Sequence, residues 1–177
     1  MAVCSFIGHE EVYDADIESR VQLAIDQIVE NHDSVEFLIY PHGEFYNICL
    51  LAVLRARTYQ PQKVTITLVV QEGHQFASAL DYLTDKTVSL YFEPPKKTDA
   101  TFLHKKILRW LIDNSTHLIT YIYDRLYDPD NRLPKKQPVP KLISVATPET
   151  EAAILEAVPH MREQEQIVFQ RVQETTR

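Results

Sequence analysis

Short apolar runs alternate along most of this chain with longer stretches whose apolar residues recur at helical spacing. This alternation is typical of βα units, because two parallel strands need a crossover connection, usually a helix, between them. It predicts an α/β fold with a mainly parallel sheet. Asp14 or Asp16 can cap the first predicted helix. The predicted strands are 2–7, 35–40, 64–70, 88–92, 118–123 and 142–146, and the predicted helices are 16–31, 45–58, 75–83, 99–114 and one that begins at Thr147.

Length and charge narrow the class of protein further. A chain of 177 residues can bury one sizeable core, and it contains no apolar run near the ~20 residues that a membrane helix needs. The amino terminus lacks the pattern of a signal peptide, so we expect a cytoplasmic protein. The formal charge of −7 argues against broad nucleic-acid binding, which depends on lysine and arginine. Cys4 and Cys49 lie in apolar runs and are expected to be buried.

Glycine is scarce, and each of the three glycines follows a predicted strand. Ligands of open parallel sheets bind outside the carboxyl ends of the strands, where glycine lets the backbone turn or approach a ligand closely. These positions therefore predict a ligand site at that edge, although tight turns alone also require glycine. The glycines and their neighbouring histidines are Gly8 with His9, Gly43 with His42, and Gly73 with His74.

Imidazole groups at this edge could act as acid or base, bond a base or phosphate, or bind a metal. Neighbouring strands lie ~4.8 Å apart, so three successive loops spread their histidines over roughly 10 Å. We therefore predict no metal site and no cofactor, and we keep a role in ligand contact alongside plain turn or capping histidines.

Glu44 is the candidate catalytic residue. The segment 40–47 leads into the second predicted helix, whose first backbone amides would face an anion. A carboxylate there opposes an anion, but it could bond a ribose hydroxyl or act as a base; the alternative is an acid favoured by the helix dipole. Phosphate-loop, GxGxxG, hydrolase-triad and zinc-protease motifs are absent from the sequence.

The stretch 125–141 is rich in basic residues and follows a strand whose end borders the same edge. It could act as a basic lid, or it could be an ordinary solvated loop. Its basic residues are Arg125, Arg132, Lys135, Lys136 and Lys141.

Three short segments resemble a known family. The run Cys-Ser-Phe-Ile-Gly-His at 4–9 is similar to the Cys-x-Phe-Thr-Gly-His-Arg opening of YpsA-like proteins in the SLOG superfamily of Rossmann-like domains. Residues 43–46 are similar to the family's Gly-Gly-Phe-Asp, and 113–115 to its Asp-x-Ser. The resemblance spans 3–123 with gaps and implies a three-layer fold with sheet order 3-2-1-4-5, to which one extra strand is added here. It also implies a nucleotide or nucleotide-derived ligand over the strand ends, bound by a ligand sensor or by an enzyme that cleaves N-glycosidic bonds.

The sequence also departs from the family. Glu10, Glu44 and Tyr46 stand where the family has Arg, Gly and Asp, and 124–140 contains no glycine. These departures favour a second hypothesis, a degenerate member that acts through protein contact or as a homo-oligomer.

The resemblance implies a SLOG-like domain over 1–158. Residues 159–177 are predicted to form a helical tail, which would be the protein-contact interface under the second hypothesis. The first hypothesis is a cytoplasmic domain that binds a nucleotide-like small molecule. Hydrolysis of an N-glycosidic bond, with Glu44 as base or cation stabiliser, is a third. The expected ligand-binding residues are Gly8, His9, His42, Gly43, Phe45, His74 and Ser115.

Overall fold

The computed structural model describes residues 1–8, 11–12, 14–73, 80–93, 100–121 and 140–147. Six strands and three helices form within these residues. The strands are β1 (Ala2–Gly8), β2 (Val35–Ile39), β3 (Val64–Gln71), β4 (Lys86–Leu90), β5 (His117–Tyr121) and β6 (Lys141–Ser144). The helices are α1 (Ile17–Glu30), α2 (Glu44–Tyr59) and α3 (Ala100–Asp113).

The strands form one sheet in the order β4-β3-β2-β1-β5-β6. Every strand pairing among the described residues is parallel. Without β4 the order is the expected 3-2-1-4-5, and the extra strand is β4, which lies beside β3. The predicted Rossmann-like α/β class is confirmed.

Alternation of side chains along the strands divides the core between the two faces of the sheet. Phe6 and Phe37 point to the face on which α1 and α2 pack. Leu38 and Val69 point to the other face and meet Ile107 of α3. Helices on both faces of a central sheet give three layers.

The two cysteines belong to the first of these cores. Cys4 and Cys49 are fully buried free thiols, as the sequence predicts. Burial raises the pKa of both thiols because a thiolate would lose its solvation.

Two local predictions differ from the structure. Asp16 precedes α1 but makes no side-chain capping bond. Asp14 instead accepts the Asp16 N–H at 3.2 Å, which organises the turn one step before the helix. The described end of the predicted helix 75–83 is a turn in which the Leu83 N–H bonds the Leu80 carbonyl at 3.0 Å.

Several predictions lie outside the described residues. These are the end of the strand 118–123, most of the loop 124–140, the body of the last helix and the tail 159–177. Within the part of the chain that is described, no helix is both long and apolar enough to cross a membrane.

Candidate functional site

The order of the strands reverses beside β1. The chain runs outward from β1 through β2, β3 and β4, and then returns to place β5 on the opposite side of β1. Gly8 and Tyr121 pair where β1 and β5 end. Crevices at such a reversal, outside the carboxyl ends of the strands, are where open α/β sheets bind their ligands. We call this region the carboxyl edge.

Gly43 begins α2 at the carboxyl edge. Its φ of 87° lies in the left-handed region that glycine adopts without strain. The Gly43 carbonyl accepts the Asn47 N–H at 3.4 Å, so the helix starts directly after this turn. The first amides of a helix have no acceptor within the helix itself, and anion sites at helix starts use these amides.

Gly73 has a similar positive φ of 86°, but no atom of the described residues lies within 4 Å of a Cβ atom placed there. The turn alone therefore explains this glycine. Its neighbour His74, like His9 and Glu10, lies outside the described residues.

Gly8 is explained by packing. A Cβ atom at this position would lie 2.4 Å from a ring carbon of Phe45 and 3.0 Å from Cβ of Tyr121. Phe45 is fully buried, and its ring stacks on Tyr121 with centroids 5.3 Å apart. The structure thus brings Gly8 and Phe45 together in the core beneath the carboxyl edge, and the Phe45 ring has no exposed surface there.

Glu44 is exposed at the first position of α2. Its Oε2 atom accepts the backbone N–H of Val12 at 3.0 Å, which ties the loop between β1 and α1 to the start of α2. The carboxylate therefore lies at the predicted edge and also holds a loop in position.

Four aromatic side chains, which we call the edge aromatic cluster, lie at the end of β2. Tyr40 and His42 have nearly parallel rings, 3° between planes with centroids 5.5 Å apart. The ring of His104 is 4.2 Å from that of His42, and its Nδ1 atom is 3.4 Å from the Tyr40 hydroxyl. Tyr46 meets Tyr40 and His42 edge-on.

The chain order accounts for this meeting. Tyr40 and His42 are two residues apart after β2. Helix α3 crosses from the end of β4 to the start of β5, so its first turns lie at the carboxyl edge. His104 was not among the predicted site residues. Its spacing to the buried Ile107 and Leu111 is the only signal in the sequence that it shares their face.

Ser115 is not brought to this edge. It lies two residues before His117, where β5 begins, and is therefore at the amino edge of the sheet. Its hydroxyl donates to the Leu111 carbonyl at 2.6 Å, so the Ser5 hydroxyl is the donor in the 2.5 Å bond between the two serines. Ser115 is buried and joins α3 to β1.

No group of three or more His, Cys, Asp or Glu side chains in the described ranges could hold a metal ion. Neither a protein-family model nor a curated protein matches the sequence. The fold and the geometry of the carboxyl edge are therefore the features that point to a function.

Proposed function

We propose that this chain is a divergent SLOG-like cytoplasmic domain that binds a nucleotide or nucleotide-derived small molecule at the carboxyl edge and acts as a ligand sensor. The observation that carries the proposal is the strand reversal between β1 and β5. The turn at Gly43 and the half-exposed rings of Tyr40 and His42 lie beside it.

Each part of a nucleotide has a suitable neighbour at this edge. Backbone amides at the start of α2 suit a phosphate, which requires no net positive charge on the protein. The Glu44 carboxylate suits a ribose hydroxyl, because an ionised carboxylate only accepts hydrogen bonds and a hydroxyl donates them. Aromatic rings suit a base.

The family resemblance supports the proposal at one point. The glycine of the first similar segment, Gly8, contacts Phe45 of the second. Two segments far apart in the sequence are therefore neighbours below the edge that the resemblance implies for the ligand.

A thermal unfolding screen against nucleotides, NAD, ADP-ribose and cyclic dinucleotides tests the proposal. A ligand at a hundredfold its Kd adds ~2.7 kcal/mol, which raises the Tm of a domain of this size by roughly 5 to 10 °C. Gly43→Trp should abolish the shift, because it fills the turn at α2. Gly73→Trp is the matched control, since Gly73 has nearly the same positive φ, and this variant should retain the shift. No shift with any compound would contradict the proposal.

A second candidate is a degenerate member that acts through protein contact. It is favoured by two residues matched to the family, because the Phe45 ring is fully buried and Ser115 bonds Ser5 at the amino edge, so neither side chain faces a ligand at the carboxyl edge. Deleting 159–177 should then leave a folded monomer, and an unchanged oligomeric mass by light scattering would count against this candidate.

A further inference from the structure

The edge aromatic cluster marks the point where the aliphatic core ends. On the α3 side of the sheet that core consists of Leu38, Val69, Leu90, Ile107 and Leu111, with Tyr40 packed against it. Beyond Tyr40 the contacts are between aromatic rings that carry polar atoms, Tyr40 with His42 and His42 with His104. The polar atoms on these rings need hydrogen-bond partners, whereas aliphatic side chains have no polar atoms to satisfy.

The exposure of the cluster is graded toward solvent. Within it Tyr46 is buried, whereas Tyr40, His42 and His104 are each partly exposed. The parallel Tyr40 and His42 rings have the offset-stacked arrangement that aromatic pairs prefer. The partly exposed surfaces of Tyr40, His42 and His104 are where a further planar group can contact the cluster.

The chemistry of the cluster selects the type of ligand group. Imidazole and phenol rings present π-faces together with ring nitrogens and hydroxyls that bond polar edges. A planar heterocycle offers the same two features, a π-face and polar edges, and therefore suits these rings. Stacking on aromatic side chains tolerates any base, since all bases have a π-face.

We propose that Tyr40, His42 and His104 form the subsite on which the nucleobase of the ligand stacks. This inference rests on the proposed function and gives the ligand an orientation, with its base over the end of β2 on the α3 side of the sheet. Each of the three rings contacts the other two, and His42 has the two shortest centroid distances, 5.5 Å to Tyr40 and 4.2 Å to His104.

Calorimetric titrations with the four nucleoside monophosphates AMP, GMP, CMP and UMP, and with ribose 5-phosphate, test the inference. The wild type should bind at least one monophosphate more tightly than ribose 5-phosphate, which has no base. His42→Ala should weaken that monophosphate by about 5- to 100-fold and leave ribose 5-phosphate unchanged. His42→Phe keeps an aromatic face and should bind within about threefold of the wild type. His32→Ala, a half-buried histidine at the amino edge, is the matched control and should bind as the wild type does.

The outcomes separate this inference from the proposed function. Equal losses for the monophosphate and ribose 5-phosphate in His42→Ala would overturn the base subsite and leave ligand binding at the edge intact. A loss of affinity in His42→Phe as severe as in His42→Ala would also overturn it. The contact would then be made by an imidazole nitrogen, which bonds the ligand or a zinc ion added with it, and not by the ring face. A wild type that binds none of these compounds would overturn the base subsite, whereas the proposed function would be contradicted only if the thermal screen also gave no shift. Circular dichroism melts of each variant show whether it is folded before it is titrated.

Discussion

Gly8 has to be glycine because the ring of Phe45 occupies the space that a Cβ atom needs. That ring is itself held by its stack on Tyr121, so it cannot yield without disturbing a second buried side chain. Tight packing of this kind makes a single added methyl group costly.

We expect Gly8→Ala to lower the free energy of unfolding by about 1–3 kcal/mol, measured by urea denaturation. This loss outweighs the ~0.4–1 kcal/mol that alanine gains by restricting the unfolded chain. In a Phe45→Leu background the same change should cost less, because the smaller side chain leaves room for the methyl group. Gly73→Ala, strained by its backbone and not by packing, should show no such relief; additive losses at Gly8 and Phe45 would contradict the packing explanation.

His117 at the amino edge gives the protein a pH dependence. Burial is the largest of the effects that lower the pKa of His117, and the charges of His32 and Lys141 lower it further. The folded state therefore binds this proton less readily than the unfolded chain, whose histidine has a pKa of about 6.5. Stability is thus fully present above that value and is lost as the pH falls below it toward the lower pKa of the folded state.

His117→Asn should reduce this loss. We expect wild type and variant to differ in unfolding free energy by a constant amount above about pH 7.5, and the difference to change in favour of the variant as the pH falls below about 6.5. Urea titrations across pH 5 to 8 measure the difference. Titrating groups far from His117 contribute equally to the stability of both proteins, so their contributions cancel in the difference. A difference that is constant over the whole range would show that His117 is not the source.

Glu44 holds a loop whether or not it acts in catalysis. Glu44→Ala removes the acceptor of the Val12 N–H and should cost about 1 kcal/mol of stability, whereas Glu44→Gln retains a carbonyl oxygen and should cost less.

If the edge hydrolyses an N-glycosidic bond with Glu44 as base or cation stabiliser, Glu44→Gln should abolish turnover and spare binding. Release of free base, followed by chromatography, measures turnover, and full activity in Glu44→Gln would exclude that role.

At the scale of elements, Asp85 connects α2, β3 and the start of β4. Its Oδ2 atom accepts the backbone N–H of Ile66 at 2.8 Å and an N–H of Arg57 at 3.2 Å. The bond to Ile66 is half-buried, whereas the pair with Arg57 is exposed. Strand β4 is one of the two edge strands of the described sheet, and this carboxylate, together with the Asp85 N–H that bonds the Ile66 carbonyl at 2.8 Å, holds its start beside β3.

Asp85→Ala should therefore lower the unfolding free energy by about 1–3 kcal/mol, because it leaves the Ile66 amide without its acceptor. Arg57→Ala, the matched control, removes only an exposed ion pair and should cost at most about 1 kcal/mol. Hydrogen exchange should accelerate at Ile66 in the first variant and remain slow in the second. Equal losses in both variants would show that the ion pair, not the backbone bond, holds β4.

Periodicity alone predicts most of the helices and strands, because the spacing of apolar residues differs between a strand and a helix and can be read from each segment by itself. The ends of α1 and α2 differ from the predictions by one residue each. The site is less accessible to such reasoning. Glu44 and Gly43 were found because they adjoin a strand, whereas His104 reaches His42 only through the packing of α3. Ser115 precedes a strand and so lies at its amino end, which a motif match does not reveal.

At the scale of the whole molecule, the sheet separates two edges with different character. The carboxyl edge has the strand reversal, the turn at Gly43 and the edge aromatic cluster. The amino edge has the buried Ser115 hydroxyl and the His32–His117 contact, with ring centroids 5.0 Å apart. A ligand bound at one edge should leave the backbone amides of the other unaffected, because the strands between them span several residues at ~3.3 Å each.

The most direct measurement is therefore a nitrogen-15 NMR titration of the wild type with the compound that gives the largest thermal shift. The proposed function predicts that amide resonances change at the carboxyl edge, at Gly8, Gly43, Asn47 and Tyr121, while those of His32, Ser115 and Thr116 stay in place. Changes concentrated at the amino edge, or a titration with every compound of the screen that moves no resonance at all, would contradict it.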